Sequence, residues 1–205
     1  MVTIVGLGDS TTAGTPGFKS PLEAPPDGAG RLESQYAHWL MVLHPDWRVL
    51  NRGVNGERSD QIRARFGRDV IEERHRTGPD LVVAIIAGVN DIYQGRSAQS
   101  VQHELQLMYD AARETGIPVV AGSILPYNTA TPDQNQRMHA VNTWILSYVE
   151  AHPAIVFCDS RAAVAAANHP DLLGDSPDGL HPSAEGYRQM ARALERAILR
   201  LLQPS

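Results

Sequence analysis

The stretch VTIVGLGDSTTAG (residues 2–14) is an apolar run that changes abruptly into glycine, aspartate and hydroxyl side chains. Its apolar part predicts a strand buried on both faces, which is typical of a parallel sheet covered by helices. A strand that ends in small polar residues leads into a ligand-binding or reacting group. Two interpretations compete: Gly6-Leu7-Gly8 begins a nucleotide-binding turn, or Ser10 is a nucleophile held at the strand end.

Further apolar runs alternate with amphipathic segments along the chain. Strands are predicted at 2–7, 47–53, 81–88, 117–125 and 154–160. Helices are predicted at 34–43, 59–76, 97–115, 135–152 and 183–202. Repeated β-α units of this kind give parallel strands joined by right-handed crossovers. We therefore expect one domain over residues 1–205, a flavodoxin-like three-layer α/β/α sandwich around a five-stranded parallel sheet, with its site at the carboxyl ends of the strands.

Composition and charge narrow the classes of partner. The 205 residues carry a formal net charge of −5, so the chain lacks the excess of basic residues that nucleic-acid binding needs. No run reaches the roughly 18 apolar residues of a membrane span, and the N-terminus lacks the features of a signal peptide. We expect a cytoplasmic protein without a nucleic-acid partner, although a chain whose leader had been removed would look the same. The sequence leaves the oligomeric state open.

Four predicted loops carry the residue types that acyl transfer requires. The hydroxyl of Ser10 attacks a carbonyl only if a base removes its proton, and that base needs a third group to orient it. Asp178 and His181 lie three residues apart in a proline-flanked loop and can supply these two groups. Gly53 and Asn90 follow the second and third strands and can donate hydrogen bonds to an oxyanion, together with the N–H of Ser10. Their joint occurrence favours the nucleophile interpretation.

The same residues make the sequence similar to the SGNH hydrolases, also called the GDSL esterase/lipase family. Four segments resemble the family's blocks in the family's order: GDST at 8–11, NRGVNG at 51–56, GVND at 88–91 and DGLHP at 178–182. The resemblance implies that Ser10, Asp178 and His181 are catalytic. It also implies that Ser10, Gly53 and Asn90 form the oxyanion hole.

The reaction implied by this resemblance is hydrolysis of carboxylic esters through an acyl-serine intermediate, with no metal and no cofactor. Thr11 departs from the family's motif, which has leucine there, but it lies beside the reacting groups and is not one of them. Similar proteins include thioesterases, lysophospholipases, arylesterases and carbohydrate acetylesterases, so the motifs identify the chemistry and not the substrate. The polar segment 15–33 favours a small-molecule ester with a short acyl or acetyl group. Lysophospholipase or thioesterase activity is the alternative.

Several side chains stay open between a functional and a structural role. The segment 15–33 is rich in proline and glycine and predicts a long loop, either a lid or substrate wall or a solvated insertion. Ile92, Tyr93, Tyr127 and Asn128 follow the third and fourth strands. They are candidate substrate-lining residues or plain loop residues.

Three alternatives are disfavoured: a metal site, a nucleotide-binding module and a non-catalytic module. Asp9 and Asp91 lie near the predicted site, but the sequence lacks the ligand spacing of metal motifs, so Asp9 is expected to fix its turn by hydrogen bonds. A nucleotide-binding module is disfavoured because Thr11 stands where the dinucleotide motif requires its third glycine. A non-catalytic module is disfavoured because it has no physical need for the complete set of five site residues.

Overall fold

The computed structural model describes residues 1–203. The strands of this part of the chain are β1 (Thr3–Gly8), β2 (Phe18–Lys19), β3 (Ala29–Gly30), β4 (Arg48–Gly53), β5 (Leu81–Ile86), β6 (Val119–Gly122), β7 (Ile155–Cys158), β8 (Ala165–Ala166) and β9 (His169–Leu173). Its α-helices are α1 (Ser10–Ala13), α2 (Tyr36–Leu43), α3 (Ser59–Ala64), α4 (Glu72–Thr77), α5 (Val89–Tyr93), α6 (Ala98–Glu114), α7 (Pro132–Glu150), α8 (Ser160–Val164) and α9 (Ala184–Leu202).

Five of the strands form one parallel sheet in the order β4-β1-β5-β6-β7. The chain order therefore reverses at β1, which lies between β4 and β5. In register, Gly8 at the end of β1 lies opposite Gly53 of β4 and Ile86 of β5. The predicted α/β fold with a five-stranded parallel sheet is confirmed. The reversal beside β1 is the position at which sheets of this type bind ligands.

Helices cover both faces of this sheet because successive strand residues point to opposite sides. Val5 and Leu7 pack into one core with residues of α3, α5, α6 and α7. Ile4 packs into a second core with residues of α2, α8 and α9. The central strands β1 and β5 are buried along their whole length, as their continuous apolar sequences predict.

The segment 59–76 differs from the single helix that was predicted. Helix α3 ends at Ala64, a π-helical stretch covers Gly67–Ile71, and α4 follows. A π-helical stretch changes the direction of the side chains that come after it, and such stretches are frequent at functional sites. The interruption coincides with a buried arginine, Arg65.

The segment 15–33 also differs from the predicted open loop. It contains the short antiparallel pair β2–β3 and a turn of 3-10 helix at Leu32–Ser34. The elements β2, β3 and β8 have two residues each, too few to produce a hydrophobic period. Within residues 1–203, no helix combines the length and the apolar composition needed to cross a membrane. The single domain over 1–205 stays a prediction, and residues 204 and 205 lie outside the described residues.

Candidate active site

The carboxyl end of β1 places Ser10 at the sheet's reversal point. The strand ends at Gly8, and Asp9 caps α1 by accepting a hydrogen bond from the N–H of Thr11 at 3.0 Å. Ser10 is the first residue of α1. Its own N–H donates to no acceptor within residues 1–203, as expected for the first turn of a helix. The turn therefore presents both a hydroxyl and a free N–H at one point.

The side chains of three predicted site residues form one chain of hydrogen bonds. Ser10 Oγ and His181 Nε2 are 2.9 Å apart, and His181 Nδ1 and Asp178 Oδ2 are 2.7 Å apart. An ionised carboxylate can only accept, so Nδ1–H donates to Asp178 and Nε2 accepts from the hydroxyl of Ser10. His181 and Ser10 are both buried. The ring nitrogen is therefore positioned to remove the serine proton.

Asp178 is held as a charged acceptor by the turn that it begins. Its Oδ1 accepts from the N–H of Leu180 at 2.9 Å and from the N–H of His181 at 2.8 Å. Burial raises the pKa of Asp178, but the hydrogen bonds from the His181 ring and from these two N–H groups outweigh it. The pKa of Asp178 therefore lies below its usual value. The carboxylate is ionised wherever His181 can act as a base.

The carboxyl end of β5 brings Asn90 to the same region. Asn90 is partly buried on α5, and its Nδ2 donates to the carbonyl of Glu57 at 2.9 Å. An amide nitrogen carries two protons, so one of them stays free to donate to a ligand. The next residue, Asp91, is fully buried and accepts from the N–H and the hydroxyl of Ser59. This pair joins α5 to the start of α3.

Gly53 does not fit the predicted role of an oxyanion donor. Its N–H already donates to Asn51 Oδ1 at 3.0 Å, and its carbonyl accepts from Ser20 Oγ at 2.5 Å. A Cβ at this position would lie 2.0 Å from the backbone nitrogen of Ala13. Glycine is therefore needed here because β4 packs closely against α1. The assignment of Gly53 to the oxyanion hole is corrected on these grounds.

Gly56 has the properties that Gly53 lacks. It is exposed in the turn after β4, and its φ of +74° is a conformation that favours glycine. Its N–H donates to no acceptor within residues 1–203. The next residue is Glu57, the partner of Asn90. The dipeptide Asn55-Gly56 is a strong turn signal, which could have drawn attention to this residue in the sequence.

The four candidate substrate-lining residues divide into two pairs. Ile92 and Tyr127 are at most 1% exposed and belong to the main core, so neither lines a surface that a substrate could reach. Tyr93 and Asn128 are exposed. Consecutive residues of a helix point about 100° apart, which explains why Ile92 and Tyr93 face opposite environments. The Tyr93 ring contacts the edge of Tyr127, with ring centroids 6.0 Å apart.

The segment 15–33 is fastened to the turn that contains Gly56. The carboxylate of Glu23 accepts from the N–H and from Nδ2 of Asn55, both at 3.1 Å. The hydroxyl of Thr15 also contacts Asn55 Oδ1, and the Thr15 carbonyl accepts from Tyr187 OH at 2.7 Å. These contacts hold the segment against the turn after β4 and against α9, so it is not a detached loop.

Asp9 directly precedes Ser10 in the chain and is buried. Burial, with a smaller contribution from the charge of Asp91, raises the pKa of Asp9 to about 7, against the lowering effect of the hydrogen bonds from Thr11 and the charge of Arg65. As expected from the sequence, Asp9 fixes the turn before Ser10 by a hydrogen bond. Among residues 1–203, no group of three or more His, Cys, Asp and Glu side chains has the arrangement of a metal site.

Comparisons with known proteins find similar sequences over most of the chain. The family model of the GDSL-like lipase/acylhydrolase family matches residues 7–189. An acetylxylan esterase from Geobacillus stearothermophilus is 26% identical over 181 residues, which cover 78% of this chain and 76% of that protein. The platelet-activating factor acetylhydrolase IB subunit alpha1 from Bos taurus is 25% identical over 178 residues, which cover 86% of this chain and 74% of that protein.

Solved structures show the same fold at lower identity. A member of the lipolytic protein G-D-S-L family from Veillonella parvula has a TM-score of 0.77 at 20% identity, over 98% of this chain and 100% of that chain. A catalytic mutant of the Geobacillus stearothermophilus acetylxylan esterase has a TM-score of 0.72 at 20% identity, over 96% of this chain and 94% of that chain. The architecture is therefore shared over nearly the whole length.

Proposed function

Since this chain belongs to the GDSL-like lipase/acylhydrolase family and is a carboxylic ester hydrolase, we propose that it acts through an acyl-enzyme on Ser10 with acetyl and other short acyl esters. The observation that carries the proposal is the hydrogen-bonded chain from Ser10 Oγ through His181 to Asp178. An activated nucleophile, its base and the group that orients the base are all within hydrogen-bond distance.

The first half of the reaction transfers the acyl group to Ser10. His181 Nε2 accepts the hydroxyl proton as Oγ attacks the ester carbonyl, and Asp178 stabilises the imidazolium that forms. The carbon–oxygen double bond becomes an oxyanion in the tetrahedral intermediate. When this intermediate collapses, the bond to the alcohol oxygen breaks and His181 gives its proton to the departing alcohol. In the second half, water attacks the acyl carbonyl and gives a proton to His181. The bond between the acyl carbon and Ser10 Oγ then breaks, Oγ takes the proton back from His181, and the acid leaves.

The oxyanion needs donors that are in place before the charge develops. We assign this role to the N–H of Ser10, the N–H of Gly56 and Nδ2 of Asn90. The two backbone groups have no acceptor within residues 1–203, and the amide is fixed through Glu57. Gly56 replaces Gly53 in this assignment because the N–H of Gly53 is already bound to Asn51.

The preference for acetyl esters is supported by the two named relatives. One is an acetylxylan esterase and the other is an acetylhydrolase, so both are named for acetyl removal although the substrates in their names differ.

Three side chains near the triad are placed to contact the alcohol part of the ester. Tyr93 is 61% exposed, and Leu180, which lies between Asp178 and His181 in the chain, is 40% exposed. Asn128 lies against the same turn because its N–H donates to the carbonyl of Gly179 at 2.7 Å. We assign Tyr93, Asn128 and Leu180 to the surface that contacts the alcohol part.

A series of p-nitrophenyl esters from acetate to palmitate tests both parts of the proposal. We expect the highest kcat/KM on acetate or another short ester, and no turnover above background for Ser10→Ala. An optimum at long chains would overturn the short-acyl preference and favour the lysophospholipase alternative. Full turnover by Ser10→Ala would overturn the acyl-serine mechanism. Wild type and Ser10→Ala are then assayed on acetyl thioesters and on acetylated sugars. This comparison separates thioesterase from carbohydrate esterase activity.

The partner that follows from the family is a small-molecule ester. A cytoplasmic location and the lack of a nucleic-acid partner are further parts of the proposal. The net charge of −5 supports the second of these. Localisation of a tagged chain by cell fractionation checks the first. A nucleic-acid mobility shift at low salt checks the second.

A further inference from the structure

Arg65 is a buried guanidinium that joins three separate segments of the chain. Its side chain is 8% exposed. Nη2 donates to the carbonyl of Gly8 at 2.8 Å, Nε donates to Glu57 Oε2 at 2.7 Å, and Nη1 donates to Asp69 Oδ2 at 2.6 Å. A buried charge is tolerated only when its hydrogen-bonding groups are paired, as they are here. This side chain therefore connects the end of β1, the turn after β4 and the π-helical stretch.

Two of these three segments lie next to groups of the proposed site. Gly8 lies two residues before Ser10, and Glu57 directly follows Gly56. Glu57 is held at both ends, because its carboxylate accepts from Arg65 and its carbonyl accepts from Asn90 Nδ2. Movement of Glu57 would therefore shift Gly56 and Asn90 together, relative to Ser10.

We infer that Arg65 is a positioning residue for the oxyanion donors and acts through Glu57. This inference rests on the proposed function, since it takes Gly56 and Asn90 as the groups that bind the oxyanion. Donors of this kind contribute most when they are fixed before the reaction begins. A displacement of about 1 Å can reduce the rate by about 100-fold. Arg65 sets the distance between the turn that carries Ser10 and the turn that carries Gly56. It does so from the interior of the protein, where its side chain is buried.

The variant Glu57→Ala tests the inference because it removes the contact to Arg65 and keeps the carbonyl that Asn90 uses. The Glu57 side chain is 19% exposed, so the substitution opens no deep cavity. With p-nitrophenyl acetate we expect kcat to fall by about 10- to 100-fold, with KM changed by less than about threefold. We expect the affinity for a trifluoromethyl ketone, which forms a tetrahedral adduct on serine, to fall by the same factor as kcat.

Two further variants separate positioning from simple stability. Glu57→Gln keeps an oxygen that can accept from Arg65 Nε, so we expect it to restore most of kcat. Glu195→Ala is the matched control: that side chain is 22% exposed and lies 2.6 Å from His44, at the other end of the sheet. We expect Glu195→Ala to lower the melting temperature and to leave kcat and the ketone affinity unchanged.

The outcomes distinguish this inference from the proposed function. If kcat of Glu57→Ala stays near wild type, or if its loss is matched by Glu195→Ala at equal melting temperature, Arg65 and Glu57 have only a structural role. If Glu57→Ala lowers kcat and KM together without changing the ketone affinity, the inference is also wrong. The proposed function survives both results as long as Ser10→Ala is inactive. An active Ser10→Ala would instead overturn the acyl-serine mechanism itself.

Discussion

The two halves of the site are built in different ways. In the nucleophile half, Ser10, His181 and Asp178 contact one another directly through their side chains. In the donor half, the groups are a backbone N–H at Gly56 and an amide at Asn90, both held through Glu57 and the charge of Arg65. The first half depends on residue identity. The second depends on the conformation of a turn, so the two halves should respond differently to substitution.

Breaking the nucleophile half should give the largest loss of activity. Asp178→Asn keeps the size of the side chain, but its NH₂ group can donate to Nδ1 and hold His181 in the wrong tautomer. We expect kcat to fall on the order of 10³- to 10⁴-fold, with little change in the melting temperature because the amide oxygen can still accept from the N–H groups of Leu180 and His181. Steady-state kinetics and calorimetry on the same preparation check this. A kcat within tenfold of wild type would remove Asp178 from the mechanism.

Breaking the donor half should have a smaller effect and should discriminate between two glycines. Replacing Gly56 by glycolic acid exchanges its N–H for an ester oxygen, and we expect kcat to fall about 10²- to 10³-fold, the usual loss for one oxyanion donor. Asn90→Ala should give a loss of the same order. The same backbone exchange at Gly53 removes only the hydrogen bond to Asn51, so it should lower stability by about 1 kcal/mol and leave kcat close to wild type. The opposite result at the two positions would restore the original assignment of Gly53.

The smallest effect concerns Asp9, which caps the helix that begins at Ser10. Its pKa is about 7 in the folded chain, above its usual value, because the carboxyl is buried. The folded state therefore binds this proton more tightly than the unfolded state does. The resulting stability is complete below about pH 4 and is lost as the pH rises through about 7.

Asp9→Asn should remove this pH dependence, because an amide does not titrate and can still accept from the Thr11 N–H. We expect the variant to gain on the order of 1–3 kcal/mol in unfolding free energy relative to wild type between pH 4 and pH 8. Urea unfolding at several pH values measures the difference. A difference that is constant over this range would show that Asp9 keeps its ordinary pKa.

The sequence was informative where residue type alone determines the outcome. The apolar runs predicted the five strands of the sheet. The signal was clearest for β1 and β5, because a strand buried on both faces leaves a continuous apolar sequence. The residues of the nucleophile half were found because serine, histidine and aspartate have few equivalents for their chemistry. Their catalytic roles stay a prediction until the variants are measured.

The sequence was less informative where backbone conformation or packing decides. Gly53 and Gly56 are both glycines in one motif, and only the structure separates the one that packs against Ala13 from the one with a free N–H. Ile92 and Tyr93 are neighbours, and a five-residue helix is too short for its buried face to be recognised. In the sequence, Arg65 is one of many charged residues in the segment 59–76, which was predicted as a single helix. The π-helical stretch that accompanies the burial of Arg65 has no clear sequence signal.

The position of β1 also has a consequence for synthesis on the ribosome. This strand is translated before both of its neighbours in the sheet, β4 and β5. The contact between Ser10 and His181 spans 171 positions of the chain. A nascent chain can therefore complete its five-stranded sheet only after β7 has left the exit tunnel, and its proton relay only after His181 has done so. The onset of ester hydrolysis would then report the emergence and folding of the segment that carries His181.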